Sequence, residues 1–241
     1  MSYQQMAEVY DELMKDAPYD QWVTWTTYML NNYHPKAKQL LDLGCGTGEI
    51  TTRLSNQGWQ LTGVDLSEEM LSVAANKDQS IQWLKQDIIN LQGLSNFDCI
   101  VSYCDVMNYI TDLTSLTTVF EHAFLALQRN GLFLFDVHSV EHITSHLYGQ
   151  TFAEVYDDVS YVWFCDPGEK KYSIVHDLTF FIRHHDEYRR FDEHHYQQGY
   201  ELSTLKQAIE KAGFTIQQVC ADFSVNPASN GDRLFFVCQK L

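Results

Sequence analysis

Leu40-Leu41-Asp42-Leu43-Gly44-Cys45-Gly46-Thr47-Gly48-Glu49 is the stretch on which the reading of this chain turns. An apolar run that holds one acidic residue enters three glycines at alternate positions and leaves as a helix. Glycines in a strand-to-helix turn let the backbone bend sharply and let a ligand approach without meeting Cβ atoms. The helix that follows presents unpaired N–H groups to the same place. A second apolar segment ends at Gly63-Val64-Asp65, about twenty residues downstream, where a carboxylate can accept both hydroxyls of a ribose. A tight turn alone would also use the glycines; the loop and Asp65 together point to a nucleoside ligand.

Spacing separates two such ligands. A dinucleotide site reads GxGxxG, and the sixth position from Gly44 is Glu49, whose charge would face a pyrophosphate poorly. A sulfonium that carries an amino acid has no phosphate to seat, and Asp42 suits its ammonium group. A nicotinamide oxidoreductase is therefore disfavoured.

Outward from this loop, short apolar strands at 39–43, 60–65, 81–85, 99–103 and 132–137 alternate with helices at 49–55, 68–76 and 113–127. That rhythm predicts a parallel sheet with helices on both faces. Before it, Met6, Val9, Tyr10, Leu13 and Met14, then Trp22, Val23, Met29 and Leu30 after the Ala17-Pro18 break, fall at helical spacing. After His138 the pattern changes. Residues from about 151 to 197 alternate with period two and are punctuated by Asp166-Pro167-Gly168-Glu169, a turn sequence. A helix at 203–212, stopped by Gly213, and strands at 214–219 and 233–238 should return to the main sheet. The expected organisation is an N-terminal helical cap at 1–34, an α/β domain at 35–140 and 200–241, and an inserted antiparallel β lobe at 141–199.

Composition bounds the function. With 241 residues, 45% of them hydrophobic, a sizeable core can be buried. Against 16 basic residues stand 32 acidic ones, a formal charge of −16, which repels a phosphate backbone and makes nucleic acid an improbable partner. No stretch approaches the ~20 apolar residues of a spanning helix, and the first residues lack a signal-peptide pattern, so the expectation is a cytoplasmic protein without a membrane partner. Cys45, Cys99, Cys104, Cys165, Cys220 and Cys238 are scattered without a CxxC pair, which reads as buried thiols.

The loop at 41–48, Asp65 with its flanks at 63–67, Gln86-Asp87-Ile88 and the strand at 97–103 resemble those of class I S-adenosylmethionine-dependent methyltransferases. More narrowly, Tyr10-Asp11-Glu12-Leu13-Met14, Tyr19, Trp22 and Asp105-Val106-Met107-Asn108-Tyr109 are similar to the bacterial YqeM-like group. The resemblance covers residues 38–137 and the C-terminal helix and strands. It implies a Rossmann-like, seven-stranded, mostly parallel sheet whose last strand is antiparallel. It implies S-adenosylmethionine as cofactor and S-adenosylhomocysteine as product. Gly44, Gly46 and Gly48, with Cys45, would wrap the methionine part and Asp42 would sit near its amino group. Asp65 would hold the ribose, Leu66 would cover the adenine beside Met70, Asp87 would accept from its exocyclic amine, and Ile88 would stack below it. The end of the fourth strand, Tyr103 to Asn108, would floor the transfer site and Tyr10 would close over the cofactor.

Catalytic candidates are Asp105, Asn108, Tyr109 and His138, near the carboxyl ends of strands where open α/β sheets place ligands. Each has a plain alternative: a loop role for Asp105 and Asn108, packing for Tyr109, a hydrogen-bonded histidine for His138. The fold needs no base if the acceptor arrives deprotonated. In such enzymes, base-amino methylation goes with an Asn/Asp-Pro-Pro-aromatic motif, which 104–109 lacks, and cytosine-C5 methylation with a Cys after Pro, which none of the four prolines has. A small-molecule acceptor is expected, with a protein or RNA acceptor and a non-catalytic cofactor-binding module as rivals, in a monomer or homodimer. His184-His185 and His194-His195 are expected to flank a turn near residues 188–191; adjacent strand residues point to opposite faces, so a solvated face is preferred and no metal site is expected.

Overall fold

The computed structural model describes residues 10–241; Met6 and Val9, expected in a helix, lie outside them. Two short helices come first, α1 (Tyr10–Leu13) and α2 (Tyr19–Tyr33). Then β1 (Gln39–Leu43), α3 (Glu49–Ser55), β2 (Gln60–Asp65), α4 (Glu68–Lys77), β3 (Gln82–Lys85), β4 (Phe97–Ser102), α5 (Leu113–Ala126) and β5 (Leu127–His138) alternate. A short helix α6 (Val140–His142) leads to β6 (Gln150–Val155), β7 (Val159–Pro167), β8 (Ser173–His184) and β9 (Glu187–Gln198). The chain ends with α7 (Leu202–Lys211), β10 (Thr215–Ala221) and β11 (Arg233–Gln239).

The main sheet has the order β10-β11-β5-β4-β1-β2-β3, and only β11 runs against its neighbours. This is the seven-stranded, Rossmann-like arrangement expected. Alternate residues of its strands feed two cores. Leu41, Leu43, Ile100, Phe133, Phe135 and Phe236 pack with α5 and α7 on one face; Leu40, Cys99, Val101, Leu134, Phe235 and Val237 pack with Trp25, Met29 and Leu30 of α2 on the other. Burial on both faces explains why these strands are continuously apolar. Because β1 lies between β2 and β4, the chain leaves it in one direction and later returns on its other side. The carboxyl ends of β1 and β4 therefore frame a crevice, the place where such sheets hold ligands.

The second sheet, β6-β7-β8-β9, is antiparallel. Its last hairpin corrects the expected turn. His184 pairs with Glu187, so the reversal is His185-Asp186, and residues 188–191 lie inside β9. His194 and His195 face Asp177 and His176, far from His184. Left-handed backbone at His185 (φ 59°) makes the tight turn without the Asn-Gly or Gly signal that would mark it in sequence. All six cysteines are free, and Cys99, Cys165, Cys220 and Cys238 are buried. No helix of the described residues is long and apolar enough to cross a membrane.

Candidate active site

The crevice holds a cavity of about 440 Å³. Of the residues expected around a cofactor, Tyr10, Asp42, Gly44, Cys45, Gly46, Asp65, Leu66, Met70, Asp87, Ile88 and Tyr103 line it; Gly48 does not. Gly44, Gly46 and Gly48 all have positive φ, yet their surroundings differ. A Cβ on Gly48 would stand 2.6 Å from the Trp83 ring and one on Gly44 2.6 Å from Val106, so both are needed for packing. At Gly46 nothing lies within 4 Å of that position, and the backbone there is open to a ligand.

Asp65 ties the loop to β2. One carboxylate oxygen accepts the Gly46 N–H at 2.8 Å and the other accepts the Ser67 N–H at 2.8 Å. Two carboxylate oxygens have more lone pairs than these backbone donors use, so the group can accept from a further donor. Burial nevertheless pushes the Asp65 carboxyl above its ordinary range, against those bonds. Asp42, at the end of β1, is buried and accepts only from the Thr51 hydroxyl (2.6 Å) among side chains of the described residues. Burial pushes its carboxyl up to about 7, with Thr51 opposing. Of two apolar side chains that line the cavity, Leu66 is 63% exposed and Ile88 is buried. Asp87 uses its two oxygens on the Ile89 N–H (2.9 Å) and the Asn90 amide (2.9 Å), capping the turn that carries Ile88.

Sequence reasoning missed part of the lining, namely Thr47, Glu49, Ile50, Gln86, Ile89 and Ile110, whereas Cys104 and Val106 fall in the stretch expected to floor the transfer site. Thr47 explains how α1 is held, because its hydroxyl donates to Asp11 at 2.6 Å. Asp11 also pairs with Lys77 at 2.6 Å, and Lys77 with Glu49 at 2.7 Å. Tyr10 is thus strapped over the glycine loop. Glu49, which faced a pyrophosphate poorly on paper, is engaged with Lys77 and Arg53 (3.2 Å). Cys104 lines the cavity, but burial first and the Asp136 carboxylate second push its thiol well above the ordinary range, so it stays protonated.

Among the catalytic candidates, Tyr109 reaches the cavity; Asp105, Asn108 and His138 do not line it. They belong to a buried polar cluster behind its wall. Arg233 donates to Asp105 at 3.0 Å and to Asp136 at 3.0 Å. Asp136 also accepts from Trp22 Nε1 (2.6 Å) and from the Asp105 N–H (2.8 Å). Gln197 of β9 donates to the other Asp105 oxygen at 2.6 Å. Burial raises the Asp105 carboxyl, but the facing His138, Arg233 and Gln197 outweigh it and hold the group below its usual range. Burial pulls His138 down to about 4, and it is neutral at pH 7. Asn108 accepts the His138 N–H (2.9 Å) and donates to the Gln198 carbonyl (2.9 Å), which joins the two sheets. Cys104 and Asp105 both hold positive φ, 57° and 55°. Such strain costs on the order of 1–3 kcal/mol per residue and persists only where the surroundings over-determine it, here through Asp136 and Arg233.

Comparison with known proteins adds identity to this geometry. Residues 40–131 match a family model described as a methyltransferase domain. Over its whole length the chain is 41% identical to YqeM of Bacillus subtilis, covering 98% of it, and 39% identical to a full-length Geobacillus relative; both bear methyltransferase names. Among solved structures, an S-adenosylmethionine-dependent methyltransferase from Clostridium acetobutylicum is 28% identical, with TM-score 0.89 and 98% of each chain covered. The chain belongs to the class I S-adenosylmethionine-dependent methyltransferases. Within them it falls with the YqeM-like group. The amino pentose methyltransferase CalS10 from Micromonospora echinaspora, solved with S-adenosylmethionine bound, shares this fold at 14% identity, with TM-score 0.80 over 97% of each chain.

The cofactor of this methyltransferase is S-adenosylmethionine, and the residues present fit it. They offer a buried carboxyl with one side-chain partner at Asp42, a second carboxylate at Asp65, and apolar side chains at Leu66 and Ile88 on the same cavity. The open Cβ direction at Gly46 leaves room for close backbone approach.

Proposed function

We propose that this methyltransferase delivers its methyl group by in-line displacement to a small-molecule acceptor bound beyond the carboxyl end of β4. The observation that carries the reading is the wall of that part of the cavity, made by Tyr10, Tyr19, Tyr103 and Tyr109 and covered by α1. A nucleic-acid acceptor would meet a chain of formal charge −16. Six free thiols suit a reducing compartment.

In this reading residues 35–140 and 200–241 hold the cofactor, and residues 10–34 with 141–199 close over the acceptor. Asp42 pairs with the ammonium group, and Gly44, Cys45 and Gly46 lie along the methionine part. Asp65 accepts the ribose hydroxyls, Leu66 and Ile88 cover the adenine beside Met70, and Asp87 accepts from the exocyclic amine. Gly48 serves by admitting Trp83. The cofactor supplies a methyl group already activated on a positively charged sulfur.

What remains for the protein is to position the acceptor and exclude water, and orientation alone can be worth about 7–11 kcal/mol. Tyr109 and Tyr10 orient the acceptor. Asp105, Asn108 and His138 act from behind as positioning residues, because the ion pair with Arg233 keeps Asp105 from the role of base. The acceptor is therefore one that is nucleophilic without deprotonation by a side chain of this cluster.

The test is transfer of labelled methyl from S-adenosylmethionine into a bacterial extract split by size. Label in the small-molecule fraction supports the reading; label in protein or RNA contradicts it.

A further inference from the structure

Three side chains at the junction between the two sheets converge without serving the cavity. His142 of α6 and His146, four residues on in the wider π-type turn Ile143–Leu147, lie on one side of the helix. Asp232, just before β11, faces both. One carboxylate oxygen stands 3.3 Å from His142 Nδ1 and 3.4 Å from His146 Nδ1, and the three ligand atoms all lie within 4.8 Å of one another. The buried His142 Nδ1 makes no hydrogen bond despite that approach.

These distances have a simple meaning. Nitrogen and oxygen ligands about 2.0–2.2 Å from a tetrahedral ion stand about 3.3–3.6 Å apart along the edges of the tetrahedron. Two of the three edges here match. The ligands are also held in advance. Ser139 caps the helix by accepting the His142 N–H at 3.0 Å, and its own N–H donates to the Asp232 carbonyl at 2.9 Å. The Asp232 N–H reaches Asp222 at 3.3 Å, and the His142 ring stacks on His138 at 4.8 Å. His146 and Asp232 are 59% and 60% exposed, which gives an ion access and leaves a fourth position for water.

We propose that His142 Nδ1, His146 Nδ1 and the Asp232 carboxylate bind a divalent transition metal of the zinc class. Two imidazoles and one carboxylate suit such an ion better than calcium or magnesium, which prefer all-oxygen sites. The ion would tie the segment between β5 and β6 to the lead-in of β11. That segment is where the chain leaves the main sheet for the antiparallel one, so metal binding would stiffen the connection between them. This proposal does not depend on the nature of the methyl acceptor.

The experiment is titration of the full-length chain, without a polyhistidine tag, with Co²⁺ followed by visible absorption and with Zn²⁺ against a chromophoric chelator. One ion per chain is expected, with the d–d bands of a tetrahedral nitrogen–oxygen site and no thiolate charge-transfer band. His146→Gln and Asp232→Asn should each weaken binding by at least about 10-fold. Both are exposed and should leave S-adenosylhomocysteine binding unchanged, whereas His184→Gln, remote on the β8–β9 turn, should leave metal affinity unchanged. A chain that takes up no ion saturably at micromolar metal overturns the proposal, as does a thiolate spectrum. Wild-type affinity in both ligand variants would overturn it as well.

Discussion

Two polar regions sit side by side at the carboxyl edge of the main sheet, and they are built to opposite rules. In the cavity, groups keep capacity in reserve: Asp65 has spare lone pairs, Asp42 has one side-chain partner, Leu66 is left exposed and Gly46 opens on empty space. Around Arg233 the carboxylates are fully engaged. Two carboxylates share one guanidinium, a tryptophan and a glutamine complete them, and a strained pair of residues is held in place by the result. A site that is to bind something must be incomplete alone, whereas a site that holds a wall in shape must be complete. Carboxylates of similar burial thus have different work, and partner counts tell them apart better than burial does.

The comparison is broken most forcefully from the cluster. Arg233→Met leaves Asp105 and Asp136 as buried charges without their cation, and loss of one partner of a buried ion pair costs about 3–5 kcal/mol. Chemical denaturation should show a loss of that size. A variant as stable as the wild type would mean that the cluster is not structural.

On the cavity side, Asp65→Ala should weaken S-adenosylhomocysteine by roughly 2–4 kcal/mol, from two lost bonds to a charged acceptor. Its stability loss should be smaller than that of Arg233→Met, because it leaves no buried charge unpaired and the Gly46 N–H it releases borders the cavity.

The pH profile sharpens the same contrast. Asp42, raised to about 7 by burial, must give up its proton to pair with an ammonium group. Affinity for S-adenosylhomocysteine should therefore fall as pH drops below about 7, by up to about tenfold per unit, since one bound proton is displaced. Without ligand the sign reverses for stability: with its folded value above its unfolded one, Asp42 makes the native state lose stability as pH rises from about 4 to 7. Asp42→Asn should flatten both profiles.

The smallest effect is expected at His138. It is neutral above about 4 and lies off the cavity, so activity should show no step near pH 6.5 that His138→Gln removes. Its kcat should fall by less than the roughly 10²–10⁴-fold that loss of a general base produces.

How much of this was legible in the sequence follows from how local each feature is. The segments at 39–43, 49–55 and 60–65 coincide with β1, α3 and β2, because strand, glycine turn and helix are each written in neighbouring residues. The strands at 99–103 and 132–137 begin earlier than expected, at Phe97 and Leu127. Their pairing shifts register between Phe97 and Cys99, and β5 runs through the polar residues Gln128, Arg129 and Asn130, which carry no apolar strand pattern. The β8–β9 turn was misplaced because His185 takes left-handed backbone without a glycine or asparagine. The Arg233 cluster was invisible: Arg233 lies 128 residues from Asp105, and no local pattern couples them. For that reason Asp105, Asn108 and His138 read as catalytic candidates from their strand-end positions, and only their partners place them behind the wall. The glycine loop could be read as a unit, but that Gly48 packs on Trp83 while Gly46 faces space depends on where β3 lies.

The central claim is that the cavity binds the cofactor while the neighbouring cluster only supports it. The most direct measurement is calorimetric titration with S-adenosylmethionine and S-adenosylhomocysteine, with NAD as control, of the wild type, Asp65→Ala and Asp105→Asn. Binding of both sulfur ligands but not NAD, lost in Asp65→Ala and kept in folded Asp105→Asn, is the predicted result. Binding that survives Asp65→Ala, or that is lost in a folded Asp105→Asn, would contradict the account.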